Sequence, residues 1–334
     1  MQYRTLGNSG YEISVIGLGT WAFGAGDWKF GWGEQDEQAS IATMVRAVEL
    51  GINWVDTAAV YGLGLSEEVV GRALKQIPSA DRPLIFTKCG RTNEGGGEIG
   101  KCLKRDSVIA ECEDSLRRLD IECIDLYQMH WPEPDEQIEE GWQTLIDLQK
   151  QGKVRHIAVS NHSVSQMQRL QKYAPVTALQ PPYSMIARDV EDDLLPFCGE
   201  QNIGVICYSP MGKGLLTGGI TRERMESLSE KDHRTRDPRF QPPQLEVNLQ
   251  FVESLRSIAD DLGWTLPELA LAWVLRRSEL TAAIVGARSP EQIAQTAIAG
   301  DRVLAPESTE RVNEALTARQ QGLDALGDLP AARV

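Results

Sequence analysis

The chain has 334 residues, 42% hydrophobic and 25% charged, a composition suited to a globular protein with a sizeable core. Its 34 Lys and Arg against 48 Asp and Glu give a formal net charge of −14, a field that argues against nucleic-acid and membrane-surface roles. No apolar run approaches the ~18 residues of a spanning helix.

The start carries no apolar signal core with a cleavage site, so a cytoplasmic setting is expected. The six cysteines form no C-x-x-C pair and read as small buried hydrophobes. The four histidines show no i, i+4 pairing, so no metal is expected.

Segment 2–14 alternates around Gly7-Asn8-Ser9-Gly10 and predicts a hairpin. After it, short apolar, β-branched runs alternate with longer amphipathic segments. The runs at 15–19, 53–56, 84–88, 124–129, 154–160, 176–180, 204–208 and 282–285 predict strands. Segments 37–50, 66–76, 107–119, 138–151, 165–172, 190–200, 249–262 and 290–299 have the i, i+3, i+4 spacing of half-buried helices. In 107–119 the inner stripe is Val108, Cys112, Ser115 and Leu119, with Arg117 and Arg118 outward. Ser66 ahead of Glu68, and Ser289 ahead of Pro290, are candidate N-caps. The polar stretch 209–247 breaks the rhythm, and a loop of that length is usually functional. A further helix is expected over about 307–320, then a frayed tail over 322–334.

Eight strand-then-helix units imply parallel strands covered on both faces. A doubly wound sheet and a closed (β/α)8 barrel both meet that description. The size fits the barrel as a single domain over 1–334, with the hairpin before it and a helix after it.

Barrel chemistry sits at the C-terminal ends of the strands. There the second unit gives Asp56 and, five residues on, Tyr61; the third ends in Lys88 and the fourth in His130. A tyrosine with an ordinary pKa of ~10 is a poor proton-transfer group near neutrality. A nearby lysine ammonium would lower that value, with Asp56 holding Lys88 charged, while His130 orients a carbonyl oxygen. The set suits adding a proton to oxygen while hydride reaches carbon. Two glycine patterns carry nothing. Gly17-Leu18-Gly19-Thr20-Trp21-Ala22 follows a strand but opens no helix, and 95–100 lies in a loop.

From Gln2 to about Ala299 the chain resembles the aldo-keto reductases, most closely the bacterial aldehyde- and sugar-reducing branch related to voltage-channel β subunits. The resemblance is carried by GLGTWAFG, DTAAVYG with SEEVVGRAL, FTKCG, DLYQMHWP, GKVRHIAVSNHS, LQPPYS, GVICYSPMGKGLLTG and IVGARSPEQI. It implies an NADP(H)-dependent reductase of aldehydes, sugar aldehydes among them, with Asp56, Tyr61, Lys88 and His130 as catalytic residues and Tyr61 as proton donor. It places the carboxamide on Ser160, Asn161 and Gln180, and the nicotinamide ring against Tyr208. Ser209, Pro210, Met211, Gly212, Lys213 and Leu215 would follow the pyrophosphate, with Lys213 as its cation. Gly286, Arg288 and Gln292 would surround the adenosine end. Thr20 and Trp21 would touch nicotinamide or substrate, and Asp56 would also lie against the cofactor.

The chain has Thr296 where many relatives have Asn, and Gly286-Ala287 where some have Lys or Ser, so 2′-phosphate recognition rests on Arg288. Trp28, Phe30 and Trp32 could wall the substrate pocket or pack the first loop. Two rivals keep the fold: a cofactor-binding interaction subunit with little turnover, and a sugar dehydrogenase running toward oxidation. Oligomeric state stays open.

Overall fold

The computed structural model describes residues 1–25, 31–95, 97–229 and 232–327. Eight parallel strands close into a barrel: Ile16–Gly19, Trp54–Asp56, Leu84–Cys89, Ile124–Met129, Val154–Ser160, Ala178–Gln180, Gly204–Cys207 and Ala282–Gly286. Each pairs with the next in sequence, and the eighth pairs with the first, Val285 opposite Leu18. Closure leaves no unpaired sheet edge.

Alternate residues of each strand point inward, so two positions along the chain are one step up the barrel. Trp54, Phe86, Leu126, Ala158, Ala178, Ile206 and Ala282 form an apolar layer inside it. Trp54 fits because Gly17 opposite has no side chain; a Cβ there would lie 2.2 Å from the indole. The antiparallel hairpin Tyr3–Thr5 with Glu12–Ser14 adds buried Leu6 and Ile13 to that layer and plugs the bottom of the barrel. Two residues further along the same strands stand Asp56, Lys88, Gln128, Ser160, Gln180 and Tyr208. The strand period therefore converts an apolar floor into a polar upper layer.

The helices run close to their expected ranges, among them Glu37–Glu49, Leu65–Leu74, Arg105–Leu119, Ile138–Lys150, Val164–Leu170, Leu194–Glu200 and Pro290–Ala297. Ser289 caps the last of these, accepting from the Gln292 N–H. Three expectations are corrected. Ser66 lies inside its helix, behind Gly64 at the N-cap, and is fully buried. Arg118 turns inward to the buried Glu67 carboxylate, 2.7 Å away. Of the cysteines, Cys102 and Cys123 are only partly buried.

The seventh helical layer also differs. Leu266–Leu275, absent from the sequence expectation, packs beside the eighth strand and is buried at every position but Pro267. The expected segment lies within Gln244–Leu262, which pairs instead with the terminal helix Pro306–Asp324. That terminal helix takes in 322–324 of the expected frayed tail, while 328–334 lie outside the described residues. The long stretch after the seventh strand holds short helical turns at Gly212–Thr217, Arg222–Glu226 and Pro238–Phe240. No helix among the described residues is long and apolar enough to cross a membrane.

Candidate active site

The upper layer gathers the expected proton-transfer residues at one mouth. Lys88, 1% exposed, donates to Asp56 Oδ2 at 2.6 Å, to the Thr57 carbonyl at 2.8 Å and to the Tyr61 oxygen at 3.4 Å. An ammonium has three hydrogens, and each has an acceptor. The other Asp56 oxygen accepts from Gln180 Nε2 at 2.8 Å and from Gln128 Nε2 at 3.4 Å. Gln128 was not among the expected site residues. Its signal is a polar amide in an apolar strand, two positions before His130 and therefore on the same inward face.

Tyr61 stands at the start of a tight turn, Tyr61–Gly64, that leads into the second helix. A Cβ at Gly62 would fall 2.0 Å from the Gly24 carbonyl, so glycine at 62 lets the loops after the first two strands touch. Ser66 locks the same contact, donating to the Thr20 carbonyl at 2.9 Å and meeting Thr57 Oγ1 at 3.0 Å. The indole of Trp21 stacks on the Tyr61 ring, centroids 6.0 Å apart. His130 meets that ring edge-on at 5.9 Å.

Burial, and then the Asp56 charge, hold the Tyr61 phenol well above its usual pKa. This reverses the expectation that Lys88 lowers it: the desolvation of a phenolate and the carboxylate behind Lys88 outweigh the ammonium. Tyr61 is a neutral phenol with its proton in place. Burial, aided by Lys88 and Arg91, pushes His130 well below its usual value, so its ring is neutral and keeps one N–H donor. Burial lowers Lys88, and Asp56 opposes that shift.

Beside this set, Asn161 Nδ2 donates to the His130 carbonyl and to Ser160 Oγ, each at 3.0 Å, and Tyr208 donates to Asn161 Oδ1 at 2.9 Å. Ser160 Oγ donates to the Gln180 carbonyl at 2.8 Å. The structure thus brings Ser160, Asn161, Gln180 and Tyr208 together. In the next loop Ser209, Gly212, Lys213 and Gly214 all have positive φ, between 54° and 93°, and the Gly212 and Gly214 N–H groups close tight turns onto the Ser209 and Met211 carbonyls. Gly286 is exposed with open space where a Cβ would stand. These features fit a dinucleotide lying across the mouth.

Other expected contacts are placed differently. Thr20 is fully buried, its Oγ1 donating to the Asp56 carbonyl at 3.0 Å, so its side chain ties loops together instead of facing the mouth. Leu215 is buried in a cluster with Ile220 and Phe240. Lys213 is paired with Asp237 at 3.4 Å, which Arg239 also grips. Pro210 is buried and Met211 half-buried. Arg288 is exposed; its Nε donates to Gln35 at 2.8 Å, its Nη2 to the Glu34 carbonyl, and its backbone N–H to Gln292. Trp32 packs edge-on against Trp21 at 5.5 Å, whereas Trp28 and Phe30 lie outside the described residues.

Residues 15–317 match the model of the aldo/keto reductase family. The chain is 37% identical over 294 residues to the aldo-keto reductase YhdN of Bacillus subtilis, across 88% of this chain and 87% of that one. It is 35% identical over 311 residues to an NADH-specific methylglyoxal reductase of Escherichia coli, across 90% and 93%. Among solved structures it superposes on a glycerol dehydrogenase from Gluconobacter oxydans with TM-score 0.87 and 32% identity, covering 100% of this chain and 99% of that one.

Proposed function

The chain belongs to the aldo/keto reductase family, oxidoreductases acting on carbonyl compounds, and from that premise we propose that it reduces aldehydes to alcohols with NADPH, Tyr61 supplying the proton. The observation that carries this reading is the Asp56–Lys88–Tyr61 chain in the barrel mouth, its carboxylate and ammonium buried and its phenol part-buried.

When bound, a nicotinamide cofactor would supply the hydride for the carbonyl carbon. Ser160, Asn161 and Gln180 would hold its carboxamide, Tyr208 its ring, the 209–215 loop its pyrophosphate, and Gly286, Arg288 and Gln292 its adenosine end. The protein's own groups attend to the oxygen. As the carbonyl oxygen gains charge, Tyr61 gives it the phenolic proton. Lys88 donates to the oxygen left behind, and Asp56 keeps that lysine charged and aimed. The neutral His130 ring donates its N–H to the same substrate oxygen and fixes its direction.

The 2′-phosphate distinguishes NADPH from NADH, and Arg288 is its expected partner. A second reading, NADH preference, is favoured by the engagement of two Arg288 nitrogens with Gln35 and Glu34. Fluorescence titration of wild type and Arg288→Ala with both cofactors decides between them. A charge-assisted contact worth ~1.5–3 kcal/mol predicts roughly ten- to a hundredfold tighter NADPH binding in the wild type. The preference should collapse in the variant. Equal affinities in the wild type, or an unchanged ratio in the variant, overturn the NADPH assignment.

A further inference from the structure

Two positions before His130, the fourth strand carries a polar side chain that the proton transfer described above does not use. Gln128 stands opposite Lys88 in the strand register and is fully buried. We propose that Gln128 is a positioning residue for both halves of the reaction, aiming Asp56 at Lys88 and holding the Gln180 amide in the orientation that meets a nicotinamide carboxamide. The inference rests on the carbonyl-reducing reading above for what Lys88 and Gln180 do.

Asp56, Gln128 and Gln180 come from the second, fourth and sixth strands, alternate strands whose inward side chains share a layer. There they close a ring. Asp56 Oδ1 accepts from Gln180 Nε2 at 2.8 Å and from Gln128 Nε2 at 3.4 Å, and Gln128 Oε1 accepts from Gln180 Nε2 at 3.1 Å. The carboxylate can only accept, and its other oxygen is held by the Lys88 ammonium at 2.6 Å. Both amides therefore turn their nitrogens to Asp56. Gln128 is left with its oxygen toward Gln180, where it takes the second hydrogen of that amide. A flipped Gln128 would set its oxygen against the carboxylate and its N–H groups against those of Gln180.

With both hydrogens of Gln180 Nε2 taken, the end left over is Oε1, an acceptor suited to the N–H groups of a carboxamide. Gln128 itself is 0% exposed, so a ligand in the mouth finds no surface on it. It acts through Asp56 and Gln180. An apolar residue at 128 would fill the space and offer neither end, leaving a buried hydrogen of Gln180 without its acceptor.

The test uses Gln128→Met, which keeps the bulk and removes both ends, and Gln128→Glu, which keeps the shape. Gln128→Met should lower kcat with an aldehyde and weaken cofactor binding in a fluorescence titration with NADPH and NADH. Each effect should be about fivefold or more, the low end for an unmet buried hydrogen bond. In Gln128→Glu a protonated carboxyl can donate to Asp56 and accept from Gln180, as the amide does; ionised, it meets Asp56 with like charge. The ratio of its kcat to that of wild type should be highest in acid and fall as pH rises. The titratable groups against Gln128 are Asp56, Lys88 opposite it, and the Cys89 thiol, which donates to the Gln128 carbonyl at 3.6 Å. All three remain in both proteins, so the ratio reads the substitution. A Gln128→Met variant that melts at lower temperature but keeps wild-type kcat and cofactor affinity overturns the assignment, as does a Gln128→Glu ratio independent of pH. Absence of aldehyde turnover by the wild type overturns the carbonyl-reducing reading instead, and the cofactor affinity of Gln128→Met still decides the role of Gln128.

Discussion

In the proposed proton transfer Lys88 holds the central place, because it joins a buried carboxylate to a part-buried phenol. Lys88→Met leaves Asp56 charged and unpaired, which costs ~3–5 kcal/mol in stability, and removes the donor on the Tyr61 oxygen. Asp56→Asn keeps the ammonium and the Thr57 contact. Steady-state kinetics should show the larger fall in kcat for Lys88→Met; a larger fall for Asp56→Asn would reverse the roles assigned to the pair. Glu111 makes a different prediction. Burial pushes its carboxyl up to about 7, although it accepts the Gly90 N–H at 3.0 Å. A carboxyl raised in the folded state favours its protonated form, so this group costs stability progressively as pH rises from its ordinary value through about 7. The full displacement corresponds to at most about 3 kcal/mol. Thermal melts of Glu111→Gln and wild type should coincide more closely in acid and separate in favour of the variant above neutrality. A separation independent of pH would remove Glu111 from that role. Asp56, Tyr61, Lys88 and His130 are legible in sequence because each follows an apolar strand. Gln128 is harder to read, since its place depends on the register that sets it opposite Lys88.

At the scale of elements, the site depends on loops after different strands meeting in one place. Ser66 makes that junction, touching both Thr20 and Thr57 from inside the second helix. Ser66→Ala strands buried acceptors and donors, an effect of ~1–3 kcal/mol. The variant should melt at lower temperature and also lose kcat, because Asp56 and Tyr61 sit on either side of the junction. An unchanged melting temperature would show that the junction carries no load. Strands are the most legible elements, being short apolar runs bounded by polar residues. Leu266–Leu275 is the opposite case: past Glu268 in its first turn it is apolar on every face, so the 3.6-residue period that marks a half-buried helix is missing. Its one local sign is the capping box of Thr265 with Glu268. The half-exposed Gln244–Leu262 has the period and so looks like the barrel helix, although it lies in an outer pair.

For the whole molecule, closure of eight strands turns residues far apart in sequence into neighbours: Asp56 and Gln180 are 124 positions apart and share a hydrogen bond. Strand count and order make the barrel readable from sequence. The expected cofactor contacts are less so, because Lys213 and Arg288 are drawn to acidic and carbonyl partners that only the folded chain brings near. We assign Tyr61, kept neutral by its surroundings, as the proton donor of the proposed carbonyl reduction. Its most direct test is the single-variant comparison of Tyr61→Phe with wild type, following NADPH oxidation by absorbance with an aldehyde and cofactor binding by fluorescence. Tyr61→Phe should lose ~10²–10⁴ in kcat with cofactor affinity retained; a variant that keeps wild-type kcat removes Tyr61 from the role.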